Sequence, residues 1–191
     1  MHTSVAAQEP SSQFHNLAKS VDEFHAAYGY YPQLFDESGV FRFMQDGNTE
    51  KFIEAMAGQT WAGERAALHG NVDSKRFYEF RESDFSKDVR KQFIDQFGNT
   101  DIIIVIDHDG DGDVDIPDNI VPEPLPGTIH SYSRFDDGSL CASTWGGLSK
   151  SAAARFKVQA ERDRTITVIT FTVIAIIMFS AWWYVRDKIM D

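Results

Sequence analysis

From Ile166 to Val185 the chain reads ITVITFTVIAIIMFSAWWYV, twenty residues without a charged side chain. At about 1.5 Å per residue, a helix of that length matches the roughly 30 Å hydrocarbon core of a bilayer. A water-soluble fold has no routine place for it, so a single transmembrane helix is predicted over 166–185. Trp182, Trp183 and Tyr184 close the run with rings suited to the headgroup layer, and Arg186 and Lys188 follow in a short polar tail, 186–191. No Asp, Glu or His lies inside the run, so it offers no axial ligand for a tetrapyrrole, no proton relay and no ion path. Anchoring is the role left to it.

The remaining length bounds the rest of the molecule. With 191 residues in all, two large domains are excluded, and one compact head with appendages is expected. The net charge of −11 is unevenly placed: 25 of the 29 acidic residues precede residue 150. Such a head is repelled by a phosphate backbone, which argues against nucleic acid as a partner. Lys150, Arg155, Lys157, Arg162 and Arg164 lead into the apolar run. That basic surplus points to a bacterial inner (cytoplasmic) membrane protein with its head in the cytoplasm, and the short tail leaves a periplasmic head as the alternative. The stretch MHTSVAAQEPSSQF lacks the basic start and apolar run of a secretory signal. The single cysteine, Cys141, cannot form an internal disulfide.

Within the head, Phe14, Leu17, Val21, Phe24 and Tyr28 recur at spacings of three and four, the apolar stripe of a helix capped by Ser11 or Ser12 and ended by Gly29 and Pro32. His15 and His25 on this helix have no partners at metal-ligand spacing. A second, short helix is expected from Asn48 or Thr49 to Ala57, with Gly58 as its stop. Residues 39–44 and 76–80 suggest short strands, and 83–90 is ambiguous. Phe93 and Ile94, a Gly98-Asn99 turn and the β-branched run Ile102–Ile106 suggest a hairpin with a buried second strand. A proline-rich stretch containing Pro117, Pro122, Pro124 and Pro126 reads as extended chain. TIHSYSRF and SLCASTW then flank Asp136-Asp137-Gly138 as a second hairpin. Helices followed by antiparallel hairpins make an α+β head with a small antiparallel sheet. The expected organisation is a disordered segment 1–11, the head at 12–147, a helical stalk at 148–165, the membrane helix and the tail.

The chemistry concentrates after the buried run. Counting from Asp107, oxygen-bearing side chains fall at positions 1, 3, 5, 7 and 9 (Asp107, Asp109, Asp111, Asp113, Asp115), glycine at 6 (Gly112), an apolar residue at 8 (Val114) and a carboxylate at 12 (Asp118). This is the spacing of a calcium loop, with Asp in place of the usual Glu at position 12. Seven carboxylates and no Lys or Arg lie between residues 101 and 118, so their mutual repulsion calls for a counter-charge, and a hard divalent cation held by oxygens supplies it. The alternative is a solvated acidic turn, because Asp-Gly is ordinary turn chemistry.

In order along the chain, AAYGYYP at 26–32, RFYEF at 76–80, FIDQFGNTDIIIVIDHDGDGDVD at 93–115, and SYSRFDDG followed by STW up to Trp145 resemble the globular head of type II secretion major pseudopilins of the planctomycete and verrucomicrobial kind. The resemblance covers residues 12–147. It implies a non-enzymatic, assembling protein whose Asp-rich loops are held by calcium, with Asp107, Asp109, Asp111 and Asp113 as first-choice ligands and Asp136 and Asp137 as a second candidate pair. The departure lies in the anchor, which here follows the head, whereas pseudopilins carry an apolar N-terminal half-helix. A fixed or accessory subunit docked to a larger membrane assembly is therefore expected rather than a pseudopilus filament. A calcium-responsive membrane-tethered regulator is the second expectation. An enzyme is disfavoured: the chain has no P-loop, nucleophile elbow, paired-cysteine motif or HExxH, and Cys141 sits in a strand pattern. Trp61, in GQTWAGERAALHG, is either a core plug or a partner contact.

Overall fold

The computed structural model describes residues 10–87, 91–117, 120–121 and 123–148. The expected disordered segment lies outside them up to residue 9, as do the stalk from residue 149, the membrane helix and the tail. By its contacts the chain divides after Ser149 into two units. Among the described residues no helix is long and apolar enough to cross a membrane.

The first helix, α1 (Pro10–Tyr28), carries the stripe that the periodicity predicted. Phe14, Leu17, Val21 and Phe24 are all fully buried, each contributing on the order of 1.5–3 kcal/mol by leaving water. Ser11 and Ser12, expected as caps, lie within the helix. Gly29 ends the helix, its N–H donating to the His25 carbonyl at 2.7 Å. The second helix, α2 (Asn48–Ala57), also falls where its pattern placed it, with Phe52, Ile53 and Met56 buried.

The described residues hold seven short strands, the first of them between the two helices: β1 (Val40–Arg42), β2 (Ile102–Ile106), β3 (Asp113–Val114), β4 (Leu125–Pro126), β5 (Ile129–Arg134), β6 (Leu140–Ser143) and β7 (Gly147–Leu148). Five of them form an antiparallel sheet in the order β1-β2-β5-β6-β7, and β3 pairs with β4 apart from it. All five residues of β2 are buried, so both faces of the sheet are covered. Side chains alternate across a strand. On one face Ile102 and Ile104 stand opposite Ser133 and Ser131. These small serines let α1 approach, and Ser131 Oγ donates to the Phe14 carbonyl at 2.8 Å. On the other face Ile103, Val105 and Tyr132 join Val40, Val114 and Ile116 in a second core.

Two strand expectations need correction. Phe93 and Ile94 are not the partner arm of β2, which pairs instead with β1 and β5. The turn itself forms, with Gly98 N–H on the Asp95 carbonyl at 2.9 Å, but Phe93 makes a single bridge to Phe85. The cause is Asp95, only 1 % exposed. It accepts hydrogen bonds from the Phe97 and Asn99 N–H groups, the Asn99 amide and Ser133 Oγ, and so pins this loop to β5. Nor is 76–80 a strand: the N–H groups of Phe77 and Tyr78 both donate to the Met56 carbonyl at the end of α2, at 2.7 and 3.1 Å. The alternation there follows Tyr78 packing inward against Phe80 and Phe93. The ambiguous stretch contains one 3-10 turn, Glu82–Asp84, and residues 88–90 lie outside the description.

The outer edge of β1 is closed. Asp36 N–H donates to the Val40 carbonyl at 3.1 Å, Asp36 Oδ1 accepts the Val40 N–H at 3.0 Å, and the Asn48 amide donates to the Arg42 carbonyl at 2.8 Å. Desolvation acts to raise the Asp36 carboxyl, and hydrogen bonds from Ser38 and Val40 outweigh it, so the group lies below its ordinary value. A depressed carboxylate stabilises the fold above its unfolded pKa and loses that contribution as pH falls through the folded one. The stability gap between the wild type and Asp36→Ala, measured by urea unfolding, is expected to narrow below about pH 4. A pH-independent gap would mean that the carboxylate's charge contributes nothing.

Candidate metal site

The aspartate loop begins where β2 ends. Asp107 N–H donates to the Thr128 carbonyl at 2.9 Å, which ties the loop's first residue to the chain entering β5. The loop then wraps around the Asp107 carboxylate. Oδ1 accepts the Gly110 N–H at 2.8 Å and Oδ2 accepts the Gly112 N–H at 3.0 Å. Gly110 and Gly112 have φ of +77° and +94°, in the left-handed region where a side chain is strained, and this lets their N–H groups turn inward. Asp111 Oδ1 in turn accepts the Asp113 N–H at 2.9 Å.

As a result Asp107, Asp109 and Asp111 each bring a carboxylate oxygen within 4.8 Å of the others. Among the described residues this is the group of ligating side chains that could hold a metal ion. Partial desolvation acts to raise the Asp107 carboxyl, but the N–H donors of Gly110 and Gly112, with contributions from Asp109 and Asp111, bring it below its ordinary value. The carboxylate is therefore held in the ionised form that a cation requires. Its charge also reaches Tyr31, whose hydroxyl is pushed up by burial and then by Asp107 and Asp22.

The other sequence candidates are placed differently. Asp113 opens β3 opposite Pro126 with an exposed side chain, and Asp115 is exposed just beyond that strand. Neither belongs to the converging group of three. At position 7 of a calcium loop the ligand is the main-chain oxygen, so the role expected of Asp113 does not need its carboxylate. Asp118, at position 12, lies outside the described residues. Asp136 and Asp137 occupy the β5–β6 turn, where Asp137 Oδ1 accepts from Ser139 N–H at 3.0 Å and Ser139 Oγ at 2.6 Å. They are not gathered with Asp107. Val114, at position 8, is fully buried in the second core, and Gly127 N–H donates to the Gly112 carbonyl at 3.0 Å. The two contacts from Gly127 and Thr128 across the loop were not legible in the sequence, because neither residue type advertises a main-chain cross-link.

Three converging carboxylates make a hard, oxygen-only donor set, suited to a divalent ion of the calcium or magnesium kind rather than to a soft metal. No protein-family model, no curated protein and no solved structure matches this chain.

Proposed function

We propose that this protein is a non-enzymatic, membrane-anchored structural or accessory subunit whose α+β head is stabilised by calcium and docks to a larger membrane assembly. The observation that carries the calcium part is the convergence of Asp107, Asp109 and Asp111 to within 4.8 Å around a loop whose next apolar residue, Val114, is buried in the core. An ion on the three carboxylates relieves their repulsion, and Val114 transmits the gain to β2 and Tyr132, which share its cluster. The uncharged run 166–185 supports the anchor, and the order of pseudopilin-like motifs supports assembly with other subunits.

A ligand bound only to the folded state stabilises it by mass action, about 2.7 kcal/mol at a hundredfold excess over Kd. Calcium is expected to raise the melting temperature of the full chain in detergent, and Asp107→Asn to abolish the shift while leaving the chain folded. Equal melts with calcium and with chelator would sink the calcium assignment. Protease accessibility in intact cells against spheroplasts decides on which side of the membrane the head stands. Co-purification of stoichiometric partners under gentle extraction supports docking, and a monodisperse monomer under the same conditions counts against it.

A further inference from the structure

Away from the aspartate loop, a recess of about 560 Å³ opens between the start of α2 and the turn that presents Trp61. That turn is built to hold its tryptophan. Gln59 and Arg65 bridge its ends, Thr60 N–H donates to the Glu64 carbonyl at 2.7 Å, and Thr60 Oγ1 accepts the Glu64 N–H at 3.2 Å. Trp61 is 40 % exposed, yet its ring is braced edge-on by Phe85 at 4.8 Å, and Phe85 leads through Phe93 into the buried aromatic core. A large apolar ring is thus held rigidly at the rim of a cavity of ligand size.

The polar groups around it are mixed in sign. Asp46 and Glu50 offer carboxylates, Gln45 an amide, and Lys91 an ammonium seated over a face of the Trp61 ring, 5.4 Å from its centroid. Gly47, at the N-cap of α2, has no side chain to cap the first turn, and the Asn48 N–H donates to the Gln45 carbonyl at 3.1 Å. An anionic ligand would face Asp46 and Glu50, and a cationic one would face Lys91. A neutral polyhydroxylated ligand meets no such conflict, because each hydroxyl both donates to carboxylates and accepts from ammonium and amide groups, while its C–H faces lie on an aromatic ring.

We propose that this recess binds a short neutral oligosaccharide that displaces the Lys91 ammonium from the Trp61 ring, with Trp61 as the stacking platform and Asp46, Glu50 and Lys91 as hydroxyl partners. The site shares no residue with the aspartate loop, so it stands or falls independently of calcium. Its test is titration of the full chain, in a detergent without a sugar headgroup, with maltotriose, cellotriose and chitotriose in turn. The Trp61 indole N–H resonance is followed by NMR, with arginine amide and acetate as charged controls. At least one trisaccharide is expected to shift that resonance saturably, with affinity falling about tenfold or more in Trp61→Ala and less in Trp61→Phe. Glu50→Gln should weaken binding while leaving the spectrum of the folded head unchanged. Absence of saturable binding by all three sugars, binding undiminished in Trp61→Ala, or preferential binding of either charged control would each overturn the proposal.

Discussion

Asn71→Ala is expected to lower the stability of the head by about 3–5 kcal/mol, enough to move a denaturant midpoint far outside error. The residue is fully buried in a segment without helix or strand, and it replaces the missing secondary structure by itself. Its amide donates to the Ala55 carbonyl at 2.7 Å and the Lys75 carbonyl at 2.6 Å. Its oxygen accepts the Lys75 N–H at 2.8 Å and the Tyr28 hydroxyl at 2.8 Å. One side chain therefore clips α2, the end of α1 and the chain leaving residues 71–75. Truncation leaves two carbonyls, one N–H and one hydroxyl without their partner; the Ala55 bond is buried and the Tyr28 and Lys75 bonds are half-buried, and an orphaned buried group costs about 1–3 kcal/mol. Asn71→Asp keeps the acceptor and loses both donors, so it should fall between Ala and the wild type only if its carboxyl is protonated. A loss below about 1 kcal/mol for Asn71→Ala would show that water or a neighbour replaces these bonds.

The second large effect is at Gly58. It has φ +62°, and a Cβ there would sit 2.4 Å from the backbone carbon and oxygen of Ser74. No side-chain rotation relieves a clash with main chain. Gly47, at the other end of α2, has φ +78° but no atom within 4 Å of its Cβ position. Both Gly→Ala substitutions carry the left-handed penalty, about 1–2 kcal/mol, and only Gly58→Ala adds displacement of a packed backbone. Gly47→Ala is expected to cost about 1 kcal/mol, and Gly58→Ala about 3 kcal/mol or more, with lost protection of Met56 and Tyr78 in hydrogen exchange. Equal losses at the two sites would mean that the Ser74 segment yields freely.

These two sites also mark where sequence legibility stops. The stripe of α1, the short α2, the buried run Ile102–Ile106 and the β5–β6 hairpin were legible because each is written in local periodicity or turn chemistry. The partners of β2 were not. Val40 and Val105 meet across 65 positions, and nothing local says that β1 rather than the 93–94 arm will take that edge. Asn71 carries no period, and its importance lies in four hydrogen bonds, two of which reach outside its own turn to Tyr28 and Ala55. The aspartate loop was legible as a spacing, and that spacing does bring Asp107, Asp109 and Asp111 together. Asp113 and Asp115 stand outside that trio of side chains, because β3 straightens the chain at Asp113, and Asp118 lies outside the described residues. Trp61 was left between core and surface. It is both, with an edge on Phe85 and 40 % of its area in solvent.

The capped margin of β1 has a consequence for how copies of this head can meet. Strand addition needs a row of open N–H and C=O groups, and here Asp36 occupies both groups of Val40 and Asn48 the carbonyl of Arg42. A neighbouring chain cannot lengthen the sheet on that side without first evicting two side chains of the same molecule. Growth of the sheet by strand addition is opposed at this border, and contacts made by the head there must be side-chain contacts.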